Sequence, residues 1–219
     1  MRIYQKVKIQ RLCLMVEKEI EKILKNLNFS KEDINKLLVF RDDVLKYNKK
    51  FNLISKSTEE SIWTRHIIDS AQIVKYINFK KKSSLADLGT GAGFPGIILS
   101  IFNKNNNFHV KLYEKSKVKC HFLKEVIRKL QLKCTLYENN CYDHDLDSDY
   151  IVSRAFKKLP EILKISREIV KKPHKLIVLK GKNAQEEVNN AFKEMIYKYR
   201  LAQSMTNKDS KILLMDIKK

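Results

Sequence analysis

Over roughly the first 80 residues, apolar side chains recur at helical spacing. Ile20, Ile23, Leu24 and Leu27 fall on one face, and Ile34, Leu37, Leu38, Phe40, Val44 and Leu45 on another. Ser30, followed by Glu32 and Asp33, supplies a side-chain acceptor for the first N–H groups of a helix and acids suited to its positive end. From Ser84 the rhythm changes. Short apolar runs at 85–88 (LADL), 109–114 (HVKLYE), 133–138 (KCTLYE), 150–153 (YIVS) and 175–180 (KLIVLK) alternate with helical stretches such as Val118 to Leu130 and Leu159 to Val170. Such alternation predicts right-handed β-α-β units and a mainly parallel sheet with helices on both faces. YRLAQSM at 199–205 and KILLMDIK at 211–218 fit an antiparallel pair at the sheet edge, which completes seven strands. The expected organisation is a helical extension over 1–80 packed on an α/β domain over 81–219, with no internal repeat and no low-complexity linker.

The most telling stretch is 85–99, LADLGTGAGFPGIIL. An apolar strand ends in Asp87, glycines follow at alternate positions (Gly89, Gly91, Gly93), and Pro95 opens a fresh apolar run. A turn that tight demands positive φ, and a missing Cβ lets backbone N–H groups approach a bound molecule closely. Pro95 suits the first helical turn, where its missing donor costs nothing. Two ligand chemistries fit. Gly91, Gly93 and Gly96 satisfy G-x-G-x-x-G, and Glu114 lies near the position of a ribose-binding acid, as in dinucleotide sites. The fuller Asp87-x-Gly89-x-Gly91-x-Gly93 pattern is similar to the first motif of class I S-adenosylmethionine-dependent methyltransferases, where no pyrophosphate has to be held.

Charge adds a partner class. Lys and Arg number 45 against 25 Asp and Glu, a formal net charge of +20. Abundant Lys, Asn and Ile fit a coding bias toward A and T, yet so few acids favour a polyanionic partner, most commonly nucleic acid. Cys13, Cys120, Cys134 and Cys141 form no C-x-x-C pair and have no histidines at zinc spacing, so reduced thiols are expected and no metal. The basic N-terminus has its apolar residues interrupted by charges, and no run approaches the ~20 apolar residues of a membrane span. A cytoplasmic protein without membrane attachment is the expectation.

In a doubly wound sheet the ligand lies at the carboxyl ends of the strands. Glu114, ending the second strand, can accept both hydroxyls of a ribose, or else pair with Lys115 or Lys117 on the surface. After the third strand Asn139, Asn140, Cys141 and Tyr142 can border an adenine, or be simply a polar loop. Ser153-Arg154-Ala155-Phe156 after the fourth strand can meet a cofactor carboxylate, a phosphate or a base, although an Arg there is also an ordinary ion-pair partner.

In order along the chain, Tyr47-Asn48-x-x-Phe51-Asn52-Leu53, Arg65-His66-x-x-Asp69-Ser70, the glycine turn, the helix at 117–123, Val152-Ser153-Arg154-Ala155-Phe156 and Leu179-Lys180-Gly181 resemble the bacterial small-subunit ribosomal RNA methyltransferases of the glucose-inhibited division protein B type. The resemblance covers roughly residues 40 to 217, and generic methyltransferases lack Arg-His-x-x-Asp-Ser. It implies a Rossmann-like class I methyltransferase that moves a methyl group from S-adenosylmethionine to N7 of one guanine in 16S ribosomal RNA, acting as a monomer on that RNA or on the small subunit. It implies a cofactor site built from Asp87, Gly89, Gly91, Gly93, Phe94, Glu114, Asn140, Cys141 and Arg154. Around the target base and its phosphates it implies Arg65, His66, Asp69, Arg154 and Lys180. Asp69 would accept from guanine N1–H and N2–H2, or else fix Arg65. His66 is by type more often structural. The long basic N-terminus and the ENNCYD stretch depart from the family pattern. A nicotinamide oxidoreductase and a catalytically silent RNA-binding scaffold are the competing readings.

Overall fold

A computed structural model describes residues 17–144, 146–192 and 198–218. Helix α1 covers 17–26 of these, and α2 spans Lys31–Asn48. Ser30 caps α2 reciprocally: its hydroxyl accepts from the Asp33 amide, and the Asp33 carboxylate accepts from the Ser30 amide. An irregular helix, α3, follows, with a π-helical turn at Trp63–Ile68, one α turn at Asp69–Ala71 and a 3-10 segment at Gln72–Tyr76. The remaining helices are α4 (Gly96–Phe102), α5 (Lys117–Lys129), α6 (Leu159–Glu168) and α7 (Ala184–Ala191).

Seven strands, β1 (Ser83–Leu88), β2 (Phe108–Glu114), β3 (Cys134–Glu138), β4 (Tyr150–Arg154), β5 (His174–Lys180), β6 (Tyr199–Gln203) and β7 (Lys211–Ile217), form one sheet in the order β3-β2-β1-β4-β5-β7-β6. The first five run parallel and β7 is antiparallel to both its neighbours. Every expected strand is present. The C-terminal strands form the expected antiparallel pair at the sheet edge, with β7 against β5 and β6 outermost.

Alternate residues of each strand feed two apolar clusters, as the strand period of two requires. Leu85, Val110, Leu112, Val152, Ile177 and Ile212 pack with α1 to α5, whereas Ala86, Leu88, Ile151, Leu176, Val178 and Leu213 pack with α6 and α7. Residues of the N-terminal helices, including Leu24, Leu37 and Phe40, are fully buried in the first cluster, continuous with the sheet. Parallel register aligns Leu88 with Tyr113 and Ser153, and Arg154 with Leu179, so the carboxyl ends of β1, β2, β4 and β5 form one level rim. Among the described residues no helix is long and apolar enough to cross a membrane. Cys13 and the basic first 16 residues lie outside the described residues.

Candidate active site

The turn after β1 takes positive φ at Gly89 (+66°), Gly91 (+62°) and Gly93 (+97°), as the tight reversal requires. The missing Cβ atoms serve different ends. At Gly91 a Cβ would meet only the Gly89 carbonyl oxygen, at an ordinary contact distance of 3.9 Å, and this residue lines a cavity of about 590 Å³ at the rim. At Gly89, also on the cavity wall, a Cβ would overlap the Phe156 ring. Gly93 is pressed against Ile97 and Phe40 and does not line the cavity. Its missing Cβ lets the turn sink onto the core.

Asp87 likewise stands behind the cavity wall. It is fully buried beneath the turn, where Oδ2 accepts from the Gly96 amide at 2.7 Å and Oδ1 has no hydrogen-bond partner. Gly96 has no room for a Cβ, which would fall 2.2 Å from Leu112 Cδ2 and 2.6 Å from the Asp87 carboxyl. Burial pushes the Asp87 pKa up to about 7, against the opposing pull of the Thr90 hydroxyl, the Gly96 amide and Arg154. Asp87 supports the turn from beneath. Pro95 stands at the cap position just before α4 rather than inside the first turn.

This arrangement separates the two ligand chemistries. A dinucleotide site presents the free amides of a helix N-terminus to a pyrophosphate. Here the first amide of α4 is already donated to a buried carboxyl and is not free for that anion.

Glu114 ends β2 at the cavity wall and is 8% exposed. Its Oε2 accepts from the Gly91 amide at 2.9 Å and its Oε1 from the Ser116 amide at 2.8 Å, so the carboxylate is aimed by backbone and not by Lys115 or Lys117. Each oxygen keeps a lone pair for a hydroxyl. Asn140 and Cys141 also line the cavity. The Asn140 side-chain oxygen accepts from the Tyr142 amide at 3.4 Å and caps the short turn Cys141–Asp143, while burial raises the Cys141 thiol pKa. Lys157 stands 5.7 Å from the exposed Tyr142 ring.

Arg154 is the partition between this cavity and a second one of about 380 Å³. Its Nη1 donates to the Arg65 carbonyl at 2.7 Å and to Asp69 Oδ2 at 3.3 Å, its Nη2 donates to His66 Nδ1 at 2.5 Å, and its guanidinium lies 5.4 Å from the Phe94 ring centre. The π-helical turn carries Arg65 and His66 to this point, and π turns recur at functional sites for such re-aiming. Burial first, then the charges of Arg154 and Arg65, lower the His66 pKa to about 4. The neutral ring accepts at Nδ1 and therefore donates from Nε2 to Thr58 Oγ1 at 2.8 Å. Both ring nitrogens are used, and His66 is a strut. Asp69 fixes Arg154, not Arg65, whose side chain is exposed on the wall of the second cavity. Lys180 lines that cavity with its ammonium donating to Glu187 Oε2 at 2.7 Å and to the Lys157 carbonyl at 3.2 Å.

Residues without a sequence signal complete the site. Gln72 Nε2 donates to Asp69 Oδ1 at 2.9 Å, and Thr206 and Ser204 from the β6–β7 connection donate to the same oxygen at 3.1 and 3.4 Å. Gln72 stands three positions after Asp69, a helical neighbour spacing that marks the pair; nothing local marks Thr206. Asn48 anchors the 48–54 turn by accepting from the Ile54 amide at 2.9 Å, which delivers Leu53 and Ile54 to the first cavity.

Known proteins match this chain closely. Residues 33–214 fit the family model GidB, described as rRNA small subunit methyltransferase G. A Pelagibacter ubique protein named ribosomal RNA small subunit methyltransferase G is 38% identical over 202 residues, covering 90% of this chain and 93% of its own. A Rickettsia bellii protein of the same name is 37% identical over 182 residues, covering 83% and 92%. Among solved structures, an S-adenosylmethionine-dependent methyltransferase from Aquifex aeolicus superposes with a TM-score of 0.57 at 16% identity over 74% of this chain and 94% of its own. A putative methyltransferase of the same cofactor class from Methanococcus maripaludis also gives 0.57, at 14% identity over 82% and 92%. At such identities these structures speak for the fold, a Rossmann-like class I methyltransferase sheet, while the sequence match extends across the helical layer and the rim together. The chain belongs to the GidB family of small-subunit ribosomal RNA methyltransferases.

Proposed function

We propose that this protein transfers a methyl group from S-adenosylmethionine to N7 of a guanine in 16S ribosomal RNA. The observation that carries the reading is the pair of cavities joined at Arg154, one walled by the glycine turn and Glu114, the other by Arg65, Asp69 and Lys180. The first suits the cofactor. Its volume falls in the range of small-molecule sites, Glu114 offers paired acceptors for a ribose diol, and Gly91 leaves room for close backbone approach. The bound cofactor supplies an electrophilic methyl on a sulfonium.

Guanine N7 carries a lone pair and no proton, so the chain needs no general base. The tied-up, neutral His66 is consistent with that demand. What the residues provide is placement: Arg154, packed on Phe94, borders the opening where the two cavities adjoin and base and methyl would meet, and holding the two in line contributes several kcal/mol. Nucleic-acid docking is supported by the +20 charge. A ribosomal substrate supports cytoplasmic action. The division at residue 80 is one of sequence order rather than of function, since Leu53, Arg65, His66 and Asp69 all reach the rim from the helical part.

Methyl-labelled cofactor with small subunits from a strain lacking this activity provides the test. Label is expected at guanine N7, and 7-deazaguanine at the target position abolishes transfer. Label on an exocyclic amine or a ribose 2′-hydroxyl would refute the N7 assignment.

A further inference from the structure

The second cavity is lined by two carboxylates, Asp69 and Glu187, and they differ in what is left to accept. Asp69 Oδ1 takes donors from Gln72, Thr206 and Ser204, and Oδ2 takes Arg154. A carboxylate offers about four acceptor positions, so the protein itself fills Asp69. Glu187, in the first turn of α7, accepts Lys180 at Oε2 at 2.7 Å, and among the described residues no donor meets its Oε1. Its side chain is 35% exposed, whereas that of Lys180 is 11% exposed and pinned by the Lys157 carbonyl. One carboxylate is thus held from behind by a fixed cation and left open in front.

Its place in the fold suits a particular task. Along the sheet β1 and β2 carry the first cavity, Arg154 ends β4 between the two, and Lys180 ends β5 one strand farther out, a step of about 4.8 Å. In guanine the N1–H/N2–H2 edge lies about a quarter turn around the ring system from N7, with O6 between them. A base in the second cavity that presents N7 to the first cavity beside Arg154 keeps that edge free to meet a carboxylate on the β5–α7 wall, where Glu187 stands. We infer that Glu187 is the residue that selects guanine, its carboxylate accepting from N1–H and N2–H2 while Lys180 positions it. This assignment rests on the second cavity receiving the target base, and it replaces Asp69 as the reader. Adenine has no proton at N1 and no amine at C2, and would leave the carboxylate unpaired.

Inosine keeps N7 and N1–H but lacks the C2 amine, which makes it the probe. Small subunits reconstituted with 16S RNA bearing guanosine or inosine at the target position are methylated by the wild-type protein and by Glu187→Gln, with cofactor affinity and Tm measured alongside. The wild type is expected to prefer guanosine by about tenfold or more in kcat/KM. In Glu187→Gln the guanosine rate falls and the ratio drops to near one, with cofactor affinity unchanged. Glu187→Asp, which retracts the charge, shows the same levelling in reduced form and serves if the Gln variant does not fold. Asp69→Asn lowers both rates together and leaves the ratio intact. An unchanged ratio in the Glu187 variants, a levelled ratio in Asp69→Asn, or no wild-type preference overturns the inference. Failure of the wild type to label guanosine at N7 is a different result, and it overturns the proposed function instead.

Discussion

Glu114 performs two jobs with one carboxylate. By accepting from the Gly91 and Ser116 amides it holds the glycine turn against the end of β2, and it leaves acceptor capacity facing the cavity. Glu114→Gln cannot accept at both positions, and it removes the charge. S-adenosylmethionine affinity by titration calorimetry is expected to fall by about 1.5–3 kcal/mol; a change within error would leave Glu114 only the stapling role. The glycines divide likewise. Gly91→Ala places its methyl at an ordinary contact distance from the Gly89 carbonyl oxygen, so it should lose cofactor affinity with a smaller drop in Tm than Gly93→Ala, which collides with Ile97 and Phe40 in the core. Equal drops in Tm would show that positive φ, common to both, decides the matter. Asp87 adds a pH signature. Its pKa rises from an ordinary 3.8 to about 7 on folding, so the folded state holds this proton more tightly and stability falls as pH climbs through that interval. Asp87→Asn keeps an acceptor for the Gly96 amide and has no proton to lose. Its Tm relative to wild type is expected to increase between pH 5 and 8 in thermal melts, and a constant difference would contradict the buried-carboxyl account.

Among the elements, α3 and the β6–β7 hairpin meet at Asp69, which links Gln72, Ser204 and Thr206 to Arg154. Asp69→Ala is expected to cut turnover at least tenfold with cofactor affinity nearly intact, because the guanidinium loses its aim while the turn and Glu114 are untouched. Equal loss of cofactor binding would place Asp69 in the first cavity's support. This junction also marks where sequence reading stops. Strand alternation, the Ser30 cap and the glycine spacing are local, and the physics of periodicity and φ makes them visible in a window of a few residues. Whether Gly93 faces a ligand or Phe40, and whether Asp69 reads a base or holds Arg154, depends on partners far along the chain. No spacing encodes Thr206 opposite Asp69, or Glu187 in front of Lys180. The Arg-His-x-x-Asp segment revealed that something sits there; only the packing of α3 on β4 reveals that His66 is a strut.

For the molecule as a whole, the +20 charge predicts how it finds its substrate. Each phosphate neutralised releases counterions, so log affinity for small-subunit RNA should fall linearly with log salt, with a slope equivalent to several released ions. Filter binding from about 50 to 200 mM salt measures it. A flat line would reduce the lysine excess to a solvated surface produced by coding bias.

The insertion of β7 between β5 and β6 has a consequence in time. The parallel strands β1 to β5 leave the synthesising ribosome first, yet Asp69 and the second cavity wait for Thr206, and β5 waits for β7 to cover its outer edge. A nascent chain shorter than this hairpin has the glycine turn and Glu114 but an unfinished wall around the base. The base-facing wall is therefore set by the closing of this hairpin on α3, after the parallel strands that carry the glycine turn are already in place.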